Sequence, residues 1–167
     1  MSSPAPISFQ SYCECPHECP SDLSAVFLAG GITGCPDWQQ DAASKLFVKC
    51  PDLTVLNPRR ADFDVTDPNA SKKQIAWEHK ALRQAKIILF WFPEETLCPI
   101  TLFELGVWSE KCKHADTIIK VGCHPNYKRI TDVNCQLLLS GFEDTIHENL
   151  DDLIESVSGA WEILKVR

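Results

Sequence analysis

The sequence lacks any apolar run near the ~18 residues that a membrane-spanning helix needs, so a membrane partner is not expected. It also lacks an excess of positive charge, because 16 Lys and Arg stand against 23 Asp and Glu, a net charge of −7. Binding to a nucleic acid polymer or an anionic membrane depends on clustered Lys and Arg, and this balance disfavours both. Residues 1–6 have neither the basic nor the apolar segment of a secretion signal. We therefore expect a soluble, cytoplasmic protein.

Paired CxxC motifs are absent too, although the chain has nine cysteines. The odd count and the missing secretion signal argue against a disulfide framework. One short segment carries three thiols and an imidazole, those of Cys13, Cys15, Cys19 and His17. The spacing of these residues is not that of the common structural zinc sites. We therefore expect no metal, and we interpret residues 1–24, rich in Pro, Ser and Cys, as an irregular leader outside the core.

A chain of 167 residues with 44% apolar residues suits one folded domain. After the leader, apolar strand-like runs alternate with segments of helical period. The predicted strands are 25–30, 53–56, 87–92 and 117–121, and the predicted helices are 37–47, 71–85, 98–111, 130–140 and 149–165. This alternation predicts that residues 25–167 form a single α/β domain, flavodoxin- or Rossmann-like. We expect a parallel sheet of about five strands with helices on both faces.

Parallel sheets of this kind bind ligands at the carboxyl ends of their strands. Four loops lie there, at residues 30–34, 57–60, 93–96 and 122–127. The first contains Gly30 and Gly31, but it is neither a GxGxxG motif nor a P-loop, so a Rossmann cofactor and an NTPase are disfavoured and no cofactor is expected. The adjacent glycines either let a small ligand approach the backbone or simply make a tight turn.

The predicted helix 98–111 carries one unusual charge. Glu104 is the only charged residue between Ile100 and Trp108. A carboxylate in such a stretch costs free energy unless it is paired, protonated or functional. It is therefore either a catalytic group or a structural partner of a neighbouring Lys or Arg. Glu78, in the preceding helix, is a second acid to consider, although taken alone it is more typical of a solvated helix face.

Four motifs follow one another over residues 25–130. They are Phe-Leu-Ala-Gly-Gly-Ile at 27–32, Leu-Asn-Pro-Arg-Arg at 56–60, Trp-Glu-His-Lys-Ala-Leu-Arg-Gln-Ala at 77–85, and Phe-Glu-Leu-Gly at 103–106. Together they make the sequence resemble the nucleoside 2-deoxyribosyltransferase-like family, which also contains nucleotide N-glycoside hydrolases. The last motif is similar to the family's Glu-Leu-Gly signature.

In that family the glutamate of this signature attacks the anomeric carbon, expels the base and forms a covalent glycosyl-enzyme. The resemblance therefore implies that Glu104 is the nucleophile. It also implies that Glu78 helps to hold the sugar, although the family usually has Asp there. The residues expected to line the substrate pocket are Gly30, Gly31, Asp37 and Trp38.

One position departs from the family. Six residues before the nucleophile the family often has Asp, which can serve protonation of the base, or Ser, which fits a 5′-phosphate; here the residue is Cys98. A neutral thiol is a poor general acid and a poor phosphate ligand. Either Glu94 or Glu95 takes the place of the acid, or the substrate differs from the usual ones.

The resemblance implies cleavage or transfer at the N-glycosidic bond of a (deoxy)nucleoside or nucleotide, a small-molecule substrate. Arg59 and Arg60 either hold a phosphate or pair with Asp62 and Asp64. Three alternatives stay open: a nucleoside 5′-monophosphate hydrolase, a glycohydrolase of NAD-like dinucleotides, and a catalytically inactive nucleotide sensor. Family members usually form dimers or larger assemblies in which a neighbouring chain closes the pocket, so a homo-oligomer is expected.

Overall fold

The structure, a computed structural model, describes residues 12–15, 17–18, 24–60 and 66–166. Within these residues one parallel sheet of six strands has the order β1-β3-β2-β4-β5-β6. The strands are β1 (Tyr12–Glu14), β2 (Ala25–Gly30), β3 (Thr54–Asn57), β4 (Ile87–Phe92), β5 (Ile118–Cys123) and β6 (Ile146–His147). The helices are α1 (Trp38–Lys49), α2 (Ala70–Gln84), α3 (Pro99–Lys111), α4 (Ile130–Leu139) and α5 (Leu150–Lys165), with a 3-10 turn at Cys112–His114.

Helices cover both faces of the sheet, which confirms the predicted α/β fold. Successive side chains of a strand point to opposite faces, so β2 and β4 contribute to two separate cores. Phe27, Ile88 and Phe90 pack with α2, α3 and α4 on one face. Leu28 and Leu89 pack with α1 and α5 on the other. Burial on both sides explains why β4 is apolar at all six positions.

The sheet has six strands where the sequence predicts about five, and β1 lies within the segment predicted as an irregular leader. Cys13 of β1 pairs with Leu56 of β3, and both Cys13 and Cys15 are buried. Tyr12–Glu14 therefore belong to the sheet, where they pair with an edge of β3 that would otherwise expose unpaired backbone groups, and Cys13 belongs to the core. Cys13 is disulfide-bonded, although the sequence argues against a disulfide framework. The remainder of the predicted leader lies outside the described residues, except for 17–18 and Ser24.

The strand order places a topological switch at the carboxyl ends of β2 and β4. From β2 the chain crosses by α1 to β3 on one side, and then returns by α2 to β4 on the other. Loops that leave the two central strands thus separate and open a crevice. Among the described helices, none has the length and apolar character that a membrane crossing requires.

Candidate active site

A cavity of about 560 Å³ lies at this crevice, between the strand ends and the facing sides of α2 and α3. Five of the residues predicted from the sequence line it: Gly30, Gly31, Glu78, Cys98 and Glu104. Within the described residues, no group of three or more His, Cys, Asp or Glu could hold a metal ion.

Glu104 lies on α3, partly buried, and faces this cavity. α3 packs against the protein interior through its own buried residues Thr101, Leu105 and Trp108. Burial, together with the negative charge of Glu78, raises the pKa of Glu104 to about 7. No ion pair or hydrogen bond to its carboxylate occurs in the part of the chain that the structure describes, so the structural alternative of a Lys or Arg partner finds no support there.

Glu78 reaches the same cavity from α2. One carboxylate oxygen, Oε1, accepts a hydrogen bond of 2.8 Å from Nε2 of Gln74, one helical turn earlier. Burial raises the pKa of Glu78, and the Gln74 hydrogen bond and the nearby His79 act against that rise. A solvated helix face is thus not its environment. The cavity brings two carboxylates together, and the charge of Glu78 makes ionisation of Glu104 more costly.

The two adjacent glycines at the end of β2, Gly30 within the strand and Gly31 directly after it, are required by close packing within the protein. A Cβ on Gly30 would lie 2.4 Å from Cζ2 of Trp38, and a Cβ on Gly31 would lie 2.6 Å from Cγ2 of Thr96. The carbonyl oxygen of Gly31 accepts a hydrogen bond of 2.9 Å from Nε1 of Trp38. The tight-turn alternative therefore explains this pair, and the turn forms one wall of the cavity.

Asp37 and Trp38 lie behind this turn and do not line the cavity. Trp38 is buried in the core beneath Gly30. Asp37 caps α1, as the sequence predicts, by accepting a hydrogen bond from the backbone N–H of Gln40 at 3.0 Å. Both side chains shape the wall of the cavity without facing its interior.

The two adjacent arginines after β3 have different partners and surroundings. Arg59 pairs with Asp37, with Nη1 3.2 Å from the carboxylate, and its Nη2 donates to the carbonyl oxygens of Ile32 and Cys35. Arg59 thus stabilises the conformation of the loop after β2. Arg60 lines the cavity instead. Asp62 and Asp64, the alternative partners of these arginines, lie outside the described residues.

Cys98 is the N-cap of α3 and has left-handed backbone angles, φ 47° and ψ 53°, which cost a non-glycine residue about 1 kcal/mol or more. Burial, and to a smaller extent the electrostatic effect of the neighbouring Cys35, raises the pKa of the Cys98 thiol to about 12. The thiol is therefore neutral near pH 7 and too weak an acid to protonate a departing base effectively.

The two acids of the loop after β4 lie outside the cavity lining. Glu95 is exposed. Glu94 accepts a hydrogen bond of 2.9 Å from Nδ2 of Asn126 and lies 3.7 Å from Nδ1 of His124. Neither carboxylate occupies the place of an acid beside Glu104 in this arrangement.

Gln74 and Ser71, which also line the cavity, were not predicted from the sequence, whereas Thr96 lies in one of the loops expected at the site. The proximity of Gln74 to Glu78 could have been predicted from the sequence, because the two residues are four apart and such pairs share a helix face. Ser71 lies in the first turn of α2, and no periodic pattern in the sequence indicates that it lines the cavity.

A family model described as nucleoside 2-deoxyribosyltransferase-like matches residues 24–127. No individual curated protein matches the chain. The matched segment runs from the residue before β2 to the loop after β5, and it contains every residue that lines the 560 Å³ cavity. Because the match covers well over half of the sequence, the chain belongs to the nucleoside 2-deoxyribosyltransferase-like family.

Proposed function

We propose that this protein cleaves or transfers the N-glycosidic bond of a (deoxy)nucleoside or nucleotide, with Glu104 as the nucleophile. One observation carries the proposal: Glu104 faces a cavity of about 560 Å³ with its pKa raised to about 7 and a second carboxylate beside it. Groups that are perturbed in this way concentrate at catalytic sites. Membership of the family supports the same general activity.

The reaction divides into two displacements at one carbon atom. The ionised carboxylate of Glu104 attacks the anomeric carbon; a C–O bond forms, the C–N bond breaks, and the base leaves with the electron pair. Water or a second base then attacks the same carbon and releases the Glu104 carboxylate. The negative charge of Glu78 stabilises the positive charge that develops on the sugar in each oxocarbenium-like transition state.

The departing base also needs a proton, and the described residues supply no strong acid where the family has one. The Cys98 thiol stays neutral, and Glu94 and Glu95 do not line the cavity. We therefore propose that the preferred substrates carry a base that departs with little help from an acid. Activity should then depend steeply on the basicity of the leaving group across a series of nucleosides.

A phosphorylated substrate is a second candidate, and the observation that favours it is the position of Arg60. Arg60 lines the cavity together with Ser71 and Thr96, and guanidinium groups suit phosphate oxygens. The test is Arg60→Gln. With a 5′-monophosphate substrate, KM should rise about 10-fold or more, since one charge-assisted hydrogen bond is worth roughly 1.5–3 kcal/mol. An equal effect on the unphosphorylated nucleoside would contradict this candidate.

We further propose that the working form is a homodimer. Apolar side chains are exposed around the mouth of the cavity: Ile75 is 53%, Ile100 is 65% and Phe103 is 67% exposed. A second groove of about 180 Å³ continues from the two carboxylates between α2 and α3. Burial of this surface by a neighbouring chain would exclude water from the cavity.

The dimer proposal is tested by light scattering coupled to size exclusion. Phe103→Asp should produce a monomer and reduce base release. Leu139→Asp is a matched control, because Leu139 is 84% exposed on α4, on another element. A Phe103→Asp protein with unchanged mass in solution, or a wild-type protein that is monomeric, would contradict the proposal.

The proposed activity is tested by chromatography of free base released from a panel of ribonucleosides, deoxynucleosides, their 5′-monophosphates and NAD. Wild type, Glu104→Gln and Glu110→Gln are compared, because Glu110 lies on the same helix but pairs with Lys113 at its exposed end. Wild type and Glu110→Gln should release base, and Glu104→Gln should not.

Addition of a second base to these reactions distinguishes transfer from hydrolysis, since a transferase then forms a new nucleoside. Equal release by Glu104→Gln and wild type would overturn the assignment of the nucleophile. Binding without release by all three proteins would indicate the nucleotide sensor instead.

A further inference from the structure

Gln74 connects Glu78 to the N-terminal part of the chain. Its Nε2 donates to Oε1 of Glu78 at 2.8 Å and to the carbonyl oxygen of Pro58 at 2.7 Å. Its Oε1 accepts a hydrogen bond of 3.0 Å from the thiol of Cys15. The side-chain amide therefore has three partners from three different segments of the chain.

These partners permit only one orientation of the amide. The Pro58 carbonyl can accept but not donate, so the nitrogen of Gln74 must face it, and the oxygen must face Cys15. Burial raises the pKa of the Cys15 thiol, and a hydrogen bond with the positively charged Arg60 acts against that rise; the net rise keeps the thiol protonated and able to donate. The remaining N–H of Gln74 is thereby directed at Glu78, and a fixed donor favours an ionised, oriented carboxylate.

The segment that carries Cys15 is itself attached at two points. The backbone N–H of Cys15 donates to the carbonyl oxygen of Asn57 at 3.2 Å, just before the loop that contains Pro58. Two residues later, the carbonyl oxygen of His17 accepts a hydrogen bond of 2.8 Å from Nε1 of Trp77. The segment after β1 thus holds α2 and the loop after β3 in one arrangement around Gln74.

We infer that Gln74 is a positioning residue for Glu78, and that Cys15 fixes the amide of Gln74, so that the segment after β1 is part of the active site. This inference rests on the proposed function, in which Glu78 stabilises charge on the sugar. Glu78 shares the cavity with Glu104 from α3 and Arg60 from the loop after β3, and the adjoining groove with His79 and Arg83 of its own helix and Lys111 of α3. Gln74 holds its carboxylate at the correct place among these groups.

The first test needs no substrate. Carboxyl ¹³C signals of labelled glutamates are titrated in wild type, Gln74→Met and Gln136→Met, with Glu78→Gln and Glu104→Gln spectra as assignments. Gln136 is an exposed glutamine on α4 and provides a matched substitution. In Gln74→Met the pKa of Glu78 should rise, because its hydrogen bond is gone. The pKa of Glu104 should fall, because its neighbour is less often charged.

The second test is kinetic. Gln74→Met should lower kcat/KM about 10- to 100-fold and change its pH profile, as expected for loss of a hydrogen bond to a charged group. Cys15→Ala should show a smaller loss of the same kind. Cys15→Ser should restore activity, because a hydroxyl can donate to the same oxygen.

The outcomes separate the two proposals. A Glu78 titration that is unchanged in Gln74→Met would overturn the positioning role, whether or not the enzyme is active. So would variants that lose stability while their pH profile stays that of wild type. A wild-type protein that releases no base, combined with the opposite shifts at Glu78 and Glu104, would refute the proposed function and leave the positioning of Glu78 supported.

Discussion

Replacement of Glu104 by Gln should stabilise the folded protein at alkaline pH while it removes the proposed nucleophile. Burial and the charge of Glu78 raise the pKa of this carboxyl from 4.5 to about 7. The folded state therefore holds the proton more tightly than the unfolded chain does. The resulting cost to stability is absent below the unfolded pKa, grows as pH rises, and is complete above the folded pKa.

The magnitude follows from the size of the rise. A change from 4.5 to about 7, at about 1.36 kcal/mol for each pH unit, corresponds to at most roughly 3 kcal/mol. Residual contact of this partly buried side chain with solvent reduces that value. Glu104→Gln should thus raise the free energy of unfolding by roughly 1–3 kcal/mol at about pH 8, and by almost nothing at about pH 4.

The assay is urea unfolding of wild type, Glu104→Gln and Glu110→Gln at several pH values between these limits. Glu110 provides a control of opposite sign, because its hydrogen bond to Lys113 lowers its pKa. Its substitution should leave the stability unchanged or slightly lower at alkaline pH. Lower stability of Glu104→Gln than of wild type at about pH 8, or a difference between them that does not depend on pH, would contradict this prediction.

Three further outcomes are expected. First, kcat/KM should rise with pH up to about 7, because the nucleophile must be ionised; a flat pH–rate profile would argue against Glu104 in this role. Second, Gly31→Ala should lower the free energy of unfolding, measured in urea, by about 1–3 kcal/mol, since the new Cβ would lie 2.6 Å from Cγ2 of Thr96. Gly159→Ala, in α5 with open space around it, should instead stabilise by about 0.5–1 kcal/mol, and a reversed order would be inconsistent with the packing described. Third, Asp37→Ala should cost about 1–2 kcal/mol through loss of the α1 cap, and thermal melts with no change would contradict that cap.

The central strands and the helices could be predicted because their patterns are long. β4 is a run of six apolar residues that ends before Pro93, and its predicted bounds are those observed. β1 and β6, with three and two residues, are too short to show any alternation. Their pairing with β3 and β5 defines them as strands, and that pairing is a tertiary property.

The site was partly visible in the sequence for a similar reason. Glu104 interrupts an apolar helix, so its isolation can be recognised without a structure. The different roles of Arg59 and Arg60 could not be predicted, because adjacent side chains diverge according to the path of the loop. The place of Trp38 behind Gly30 depends on contact between two segments, which spacing along the chain does not reveal.

The most direct test of the account is intact-protein mass spectrometry after incubation with the nucleoside and nucleotide panel and an acid quench. Wild type and Glu110→Gln should each gain the mass of one sugar, and peptide mapping should place that mass on Glu104. Glu104→Gln should gain none. Base release by wild type with a sugar adduct on another residue, or an equal adduct on Glu104→Gln, would contradict the proposed glycosyl-enzyme.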